Sequence, residues 1–387
     1  MRRGLCNRLA FPHAGAMALL LLVAGPAVCG ETGPVRLENR LVISESPPWY
    51  LADLAWGPAG DLLLATHKGI EGMDPSSGAR HVLIAAGPLS HGGARSPFGV
   101  ATRGNRVLAF SLAEHWVGCW NLDDRKTIFA FRNLPDFMIK DVALWGANRW
   151  AVLGFPRDGS GRMADSDGVA VWAGPLEPGW DLLWPVHLLA GGARVRTRFE
   201  MALWPLGGFL AVEDDGTLDI VSPVEVGIHR YAADGRPKGI LGGDLQQLVP
   251  HGIERAFSEF GSDPIERHRQ VVNRQLWIDG LLATVDGPAV IVRMPGNDRI
   301  RWEIWWPGPS GVRYRRTVPF EVSTRSNPTA HLRCDLEGER IACAVRVRDR
   351  KGPPRWNVLV MTLPSRDGEQ NAKGEKHESL KNDSVGR

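Results

Sequence analysis

Short apolar runs separated by polar turns recur along the chain, and residues 51–85 show the pattern most clearly. Four strand-like runs are predicted there: Leu51–Trp56, Asp61–Thr66, Ile70–Met73 and Arg80–Ala85. Glycine- and proline-containing turns separate them, including Gly57-Pro58-Ala59-Gly60 and Pro75-Ser76-Ser77-Gly78. Runs of this length bounded by such turns are typical of antiparallel strands joined in sequence order.

The same unit of strand, turn and strand continues from residue 35 to residue 363. The first strands of successive units are predicted at Leu51–Trp56, Phe98–Thr102, Asp141–Leu144, Met201–Trp204, Leu276–Leu281 and Thr329–Cys334. The resulting period of about 55 residues, with four strands in each unit, is typical of a propeller. The sequence therefore predicts an all-β fold, a single six-bladed β-propeller over 35–363. Arg36–Ser44 should pair with Asn357–Leu363 in the last blade, because an open ring would leave unpaired edges.

One interruption favours helix and predicts a short helical insertion before the fifth blade. Asp263, Pro264 and Glu266 have the spacing of an N-cap, a first-turn proline and a capping-box acid, and the helix would run to about Gln275. A preceding segment has apolar residues at helical spacing: Ile253, Ala256, Phe257 and Phe260.

Residues 1–30 are predicted to be a secretory signal peptide. Three arginines precede the apolar run Ala14–Ala24, and small residues follow Pro26. The run has about eleven residues, whereas a spanning helix needs roughly 20. We therefore expect export to the periplasm or the extracellular space and no membrane span after leader removal. An uncleaved anchor, or a lipid anchor on Cys29, is the alternative.

The formal net charge of +3 comes from the predicted leader. Three of the 46 Lys and Arg residues lie in the first 30 residues, which hold no acid, so the remainder is matched by the 43 Asp and Glu residues. This balance predicts no nucleic-acid partner. The segment 364–387 is polar and charged, and we expect it to be a disordered tail.

Cysteines outside the leader offer one candidate disulfide. If Gly338-Glu339 forms a two-residue turn, Cys334 lies directly opposite Cys343 in a hairpin. An exported chain can oxidise such a pair, and the matched register favours a disulfide over two buried thiols. Cys119 is then left as an unpaired thiol.

Several segments resemble the degenerate propellers of the NHL-repeat and TolB-like bacterial families. The matching elements are Ile228–Arg236, Pro97–Ala101 with Asn105–Ala109, and Asp279–Leu281 with Val285–Gly287. The resemblance covers most of 35–363 and implies the six-bladed fold. Function does not follow from it, because propellers include both enzymes and binding proteins.

A more distant resemblance, to gluconolactonase-like propellers, implies one metal candidate. Their Asp ligand matches Asp279, and companion Glu and Asn residues would complete a divalent-metal site. Leu51–Trp56 has no Glu at its start, however, and Phe98 stands where the family places Asn. An ordinary turn acid is the alternative reading of Asp279, and a metal is expected only if the protein is such an enzyme.

Other candidate chemistry is sparse. The sequence has no Gly-x-Ser-x-Gly motif. Its histidines are interpreted as turn or packing residues, since His91, His115, His187, His229 and His251 lack a metal-ligand spacing. The 15 tryptophans are expected mainly in the core. Trp305 is the exception, either an exposed indole that stacks on a ligand or a cover for a blade edge.

The sequence therefore favours a non-catalytic exported propeller that binds a protein, peptide or carbohydrate ligand without a cofactor. The alternative is a metal-dependent hydrolase or lactonase. The ligand site is predicted at the channel mouth where the loops enter the inner strands. Its candidate residues are Trp49, Tyr50, Arg95, Phe98, Asp136, Lys140, Glu200, Arg274, Asp279 and Asn327.

Overall fold

A computed structural model describes the part of the chain that forms the predicted propeller. The described residues are 35–44, 50–132, 137–156, 169–179, 181–188, 208–222, 225–243, 245, 276–296, 298–309, 311–327, 330–348 and 353–363. The predicted leader, the predicted helices before the fifth blade and the predicted polar tail lie outside them. Within the described residues, the helical element is one 3-10 turn, Leu89–His91. No described helix has the length and apolar character needed to cross a bilayer.

Six four-stranded antiparallel sheets form the blades. The first strand in the chain is β1 (Arg36–Ser44). Blade 1 contains β2 (Leu51–Trp56), β3 (Leu62–Thr66), β4 (Gly69–Met73) and β5 (Arg80–Ala85). Blade 2 contains β6 (Gly99–Arg103), β7 (Arg106–Ser111), β8 (Trp116–Asn121) and β9 (Thr127–Arg132). Blade 3 contains β10 (Phe137–Leu144), β11 (Arg149–Pro156), β12 (Val169–Pro175) and β13 (Trp184–Leu188).

The second half of the ring repeats this order. Blade 4 contains β14 (Phe209–Val212), β15 (Leu218–Val221), β16 (Ile228–Tyr231) and β17 (Pro237–Leu241). Blade 5 contains β18 (Trp277–Thr284), β19 (Gly287–Pro295), β20 (Arg299–Gly308) and β21 (Gly311–Ser323). Blade 6 contains β22 (Leu332–Glu337), β23 (Arg340–Val347) and β24 (Arg355–Thr362), with β1 as its outer strand. Each inner strand contacts the inner strand of the next blade, and β22 contacts β2. The six-bladed all-β fold is therefore confirmed.

The ring closes as the sequence predicts. β1 pairs antiparallel with β24, with Leu41 opposite Val358 and Ile43 opposite Trp356. The N-terminal strand thus covers the edge that the C-terminal strand would otherwise expose. The two ends of the described chain are joined in one sheet.

One predicted inner strand is wrong. The first strand of blade 4 is Phe209–Val212, whereas Met201–Trp204 lies outside the described residues. Both segments are apolar, so hydrophobicity alone does not choose between them. The turn that follows Phe209–Val212, which includes Gly216 with a φ of 81°, provides the hairpin to β15.

The hydrophobic core is divided among the interfaces between successive blades. Blades 5 and 6, for example, share a cluster that contains Trp302, Ile304, Leu332 and Cys343, and blades 6 and 1 share another. The largest fully buried side chains include the following tryptophans: Trp116, Trp120, Trp145, Trp150, Trp277, Trp302, Trp305 and Trp306. These large rings fill the space between twisted sheets, which confirms the predicted role of most tryptophans.

Candidate functional site

A cavity of about 620 Å³ lies on the axis of the ring. The inner strands of all six blades line it. Its lining also includes residues of the hairpins that follow these strands: Gly57, Pro58, Gly104, Asp214, Val285 and Gly338. The cavity therefore reaches the face of the ring on which those hairpins lie.

Aspartates on four inner strands connect neighbouring blades around this cavity. Each accepts a hydrogen bond from a backbone N–H of the following blade's inner strand. The pairs are Asp53 with Val100 (3.1 Å), Asp141 with Leu210 (2.7 Å), Asp279 with Leu332 (3.2 Å) and Asp335 with Trp56 (2.7 Å). Such bonds satisfy backbone donors at the inner edge of a blade and hold adjacent blades in register.

Local backbone irregularities position three of these carboxylates. The register between inner and second strands shifts between Leu51 and Asp53 in β2, and between Ile139 and Asp141 in β10. A third shift brackets Asp279 in β18. A β-bulge redirects a side chain from the face that strict alternation would give it. Bulges therefore account for carboxylates that point from one blade toward the next.

Burial raises the pKa values of three of the aspartates. The pKa of Asp141 rises to about 7, and those of Asp53 and Asp335 rise to about 6. The negative charge of Asp53 raises the values for Asp141 and Asp335 further. Arg333 opposes the rise in pKa at Asp53 and Asp141, because its positive charge favours the ionised form of both carboxyl groups.

We predict that stability falls as the pH rises from 5 to 8. The folded-state pKa values of Asp53, Asp141 and Asp335 are above the unfolded value, so their protonation favours the native state and this contribution is lost as they ionise through about pH 6–7. Arg333→Gln should steepen the fall by removing the compensating charge. Thermal midpoints at pH 5 and 8 test this, with exposed Arg325→Gln as the control. Equal losses in both variants at both pH values would contradict the prediction.

Asp279 has a different environment from the other three. Its side chain is 1% exposed. Trp302 Nε1 donates to Oδ2 at 2.6 Å, and His331 Nδ1 lies 2.7 Å from Oδ1. Burial raises its pKa, but His331, Arg293 and the Trp302 hydrogen bond outweigh burial and bring the pKa below its ordinary value. The hydrogen-bond partners of the Asp279 carboxylate therefore come from blades 5 and 6 and from His331, directly before β22.

The cavity lining carries more acid than base. Its carboxylates are Asp53, Asp141, Glu213, Asp214, Asp279, Asp335 and Glu337, and its cations are Arg103, Lys140 and Arg333. Two carboxylates have partners outside the lining, since Glu213 pairs with Arg230 at 2.5 Å and Asp279 contacts His331. Asp214 and Glu337 are exposed at the hairpin face. Arg103 ends β6 on the same face, so the rim carries two exposed carboxylates and one arginine above a cavity of mixed charge.

The predicted site residues are distributed between the cavity and other positions. Phe98, Lys140 and Asp279 line the cavity. Phe98 is 40% exposed, and its ring lies 5.9 Å from that of Phe110. Four of the other predicted residues lie outside the described part of the chain: Trp49, Asp136, Glu200 and Arg274.

Three described candidates lie outside the cavity lining. The ring of Tyr50 is 6.2 Å from that of His67. Arg95 pairs with Glu114 at 3.4 Å on the surface. Asn327 is 7% exposed, and its Oδ1 accepts the backbone N–H of Arg348 at 2.5 Å, so it organises a loop.

Trp305 is not the exposed indole considered from the sequence. It is 1% exposed, its Nε1 donates to Glu303 at 2.7 Å, and the Arg315 guanidinium lies 4.6 Å from its ring centre. Strand alternation placed it on the polar face, but the neighbouring side chains cover it. Trp305 packs in the hydrophobic cluster that blades 4 and 5 share, and whether it covers a blade edge stays a prediction.

A second polar cluster lies between blades 3 and 4. His187, Glu225 and His229 bring potential metal-ligand atoms within 4.8 Å of one another, and they form the one such group of three among the described residues. Burial lowers the pKa of His229, and the charge of His187 lowers it further. Thirty-eight residues separate His187 from Glu225 in the chain, so sequence spacing did not reveal the group.

Comparisons with known proteins add the following. No protein-family model matches the chain, and no curated protein matches it. A solved structure of regucalcin, a calcium-binding protein from Agrobacterium tumefaciens, is similar at 9% identity and a TM-score of 0.46, covering 86% of this chain and 97% of that one. The β-propeller domain of Cps50 (Swd1) from Myceliophteria thermophila has 11% identity, a TM-score of 0.45 and coverages of 86% and 100%. Virginiamycin B lyase from Staphylococcus aureus has 10% identity, a TM-score of 0.42 and coverages of 84% and 99%.

Proposed function

We propose that the protein is a non-catalytic binding propeller whose central cavity receives a positively charged group of a peptide or protein partner. The excess of carboxylates in the cavity lining carries this proposal. An excess of one sign of charge around a cleft attracts ligands of the opposite sign. Export from the cell and kinship with NHL-repeat propellers belong to the same proposal and stay predictions.

The rim supports a cationic rather than an anionic occupant. Asp214 and Glu337 are exposed and accessible to a partner, on strands or hairpins of different blades. Deeper in the cavity, the positive charge of Arg333 partly offsets the negative charges of Asp53 and Asp141. A lysine or arginine side chain from a partner would meet the exposed carboxylates of Asp214 and Glu337 first.

The metal-dependent hydrolase is the less supported alternative. A hard cation needs several oxygen ligands around one point. Among the described residues, the group with three close ligand atoms is away from the channel, and the Asp279 oxygens already receive internal donors. These observations favour a binding role for the cavity.

A charge-matched peptide experiment tests the proposal. Tetralysine should bind the protein in a salt-sensitive manner, and tetraglutamate should not. The double variant Asp214→Asn/Glu337→Gln should weaken tetralysine binding by roughly 5-fold, because each exposed ion pair contributes about 0.2–1 kcal/mol. Isothermal titration calorimetry measures both affinities.

A matched control separates the rim from general surface charge. Glu177 and Asp181 are exposed in the connection between β12 and β13 and do not line the cavity. The double variant Glu177→Gln/Asp181→Asn should leave tetralysine affinity unchanged. Equal weakening in both double variants, or equal binding of the two peptides, would refute the proposed site.

A further inference from the structure

His187, Glu225 and His229 meet where blade 3 approaches blade 4. His187 lies on β13, the outer strand of blade 3, and His229 lies on β16 of blade 4. Glu225 precedes β16. The imidazole ring centres of the two histidines are 4.5 Å apart. None of the three residues lines the axial cavity, so this cluster is separate from the site proposed above.

The ligand atoms of the cluster are close to the spacing that a tetrahedral metal needs. Glu225 Oε2 is 2.7 Å from His187 Nε2 and 4.0 Å from His229 Nε2. Ligands bound at about 2.0–2.1 Å to tetrahedral zinc lie roughly 3.3 Å from one another. The two observed distances lie on either side of that value. Small side-chain rotations would therefore bring the atoms into coordination geometry.

One buried nitrogen of the cluster makes no hydrogen bond to any described residue. His229 Nε2 is buried and has no hydrogen-bond partner among the described residues. The His229 side chain as a whole is 15% exposed. Buried polar atoms in native proteins nearly always have a partner. A hydrogen-bonded network of His187, Glu225 and Tyr231 leaves this atom unsatisfied, whereas a bound cation would satisfy it.

The surroundings also orient His187 as a ligand. Its Nδ1 lies 2.8 Å from Tyr231 Oη, which leaves Nε2 to face Glu225. Metal-binding histidines usually use one ring nitrogen for the metal and the other for such a hydrogen bond, which fixes the ring orientation. The His187 side chain is 3% exposed, so the ring is held on all sides.

We propose that His187, Glu225 and His229 bind one divalent transition-metal ion of the zinc type. Two imidazoles and one carboxylate match the ligand preference of zinc, whereas calcium and magnesium prefer oxygen ligands throughout. The ion would link the outer strand of blade 3 to blade 4. Three protein ligands leave a fourth position for water.

Direct titration tests the site. The protein, purified without a polyhistidine tag and stripped with EDTA, should bind one equivalent of Zn²⁺ in isothermal titration calorimetry, and Ca²⁺ should not compete. Tyr231→Phe should weaken Zn²⁺ binding by about 10-fold, within the range seen when a residue that orients a ligand is removed. His229→Gln removes a ligand and should weaken binding more than Tyr231→Phe does. His91→Gln, at an exposed histidine, should bind as the original protein does.

Folding controls keep the result interpretable. Metal-free His229→Gln should retain the circular dichroism spectrum of the original protein, and Zn²⁺ should raise the thermal midpoint of the original protein more than that of His229→Gln. If that variant fails to fold, Co²⁺ bound to the original protein should give visible d–d bands that Zn²⁺ abolishes and that Tyr231→Phe alters. Absence of Zn²⁺ binding, unchanged affinity in folded His229→Gln, or a Co²⁺ spectrum unaffected by Tyr231→Phe would overturn the proposal.

Discussion

Asp279→Asn is expected to lower the free energy of unfolding by about 3–5 kcal/mol, the usual cost of removing one member of a buried cluster of opposite charges. Arg293 is fully buried, and Asp279 is a nearby opposite charge. One oxygen of the Asp279 carboxylate accepts hydrogen bonds from Trp302 Nε1 and from the backbone N–H of Leu332. The other oxygen lies 2.7 Å from His331 Nδ1. An asparagine amide carries no charge and offers one acceptor oxygen in place of two.

The pH dependence gives this prediction a second, independent readout. The pKa of Asp279 is lowered in the folded state, so its stabilisation is present above the unfolded pKa and is lost as the pH falls through the folded value. Urea denaturation at pH 7 and pH 3 should therefore show a large difference between the original protein and the variant at neutral pH and a smaller one in acid.

A surface aspartate provides the comparison. Asp298 pairs with Arg325, and both side chains are largely exposed. Asp298→Asn should change the free energy of unfolding by no more than about 0.5 kcal/mol, as surface substitutions usually do. A loss below about 1 kcal/mol for Asp279→Asn at neutral pH would show that the carboxylate does not hold blades 5 and 6 together.

The blade pattern was accessible from sequence because it is encoded locally. In blade 1, each strand is followed by its own turn signal, and the predicted Arg80–Ala85 matches β5 residue for residue. The Gly338 turn likewise determines the hairpin register that places Cys334 opposite Cys343. Ring closure required one further argument, the cost of unpaired edges, which selected β1 as the partner of β24.

The axial cavity was only partly predictable, because bulges break the alternation on which sequence patterns depend. Lys140 and Asp141 are adjacent, and a bulge brings both into the lining. The entry loops of the inner strands were the predicted mouth, yet the lining extends into the opposite hairpins, where Asp214 and Gly338 lie. No local signal distinguishes these two faces of a propeller.

The histidine cluster was not predicted, for a different reason. His187 and His229 belong to strands in successive blades, and their contact depends on how those blades pack. Periodicity shows that each residue lies on a strand but not which strand it meets. Only alignment of the two blades by their place in the repeat, with Tyr231 two residues after His229, could have suggested the contact.

Removal of the crosslink between Cys334 and Cys343 is expected to lower the free energy of unfolding by roughly 2–3 kcal/mol. The structure joins these residues by a disulfide across β22 and β23, with a sequence separation of 9 and Cα atoms 4.1 Å apart. A short closed loop restricts the unfolded chain only moderately, which sets the size of the effect. Cys343 is also fully buried in the cluster between blades 5 and 6, so alanine is preferable to serine in the variants.

Reductant separates the crosslink from the packing of the sulfur atoms. Dithiothreitol should lower the denaturation midpoint of the original protein and of Cys119→Ala, but not that of Cys334→Ala/Cys343→Ala. Cys119 is a buried thiol whose pKa burial raises to about 12, so it should react with alkylating reagents only after unfolding. Non-reducing peptide mass spectrometry should find the peptides of Cys334 and Cys343 linked. Two alkylatable thiols at these positions, or a midpoint insensitive to reductant, would show that the pair packs as free cysteines and that the hairpin register is held by β22 and β23 alone.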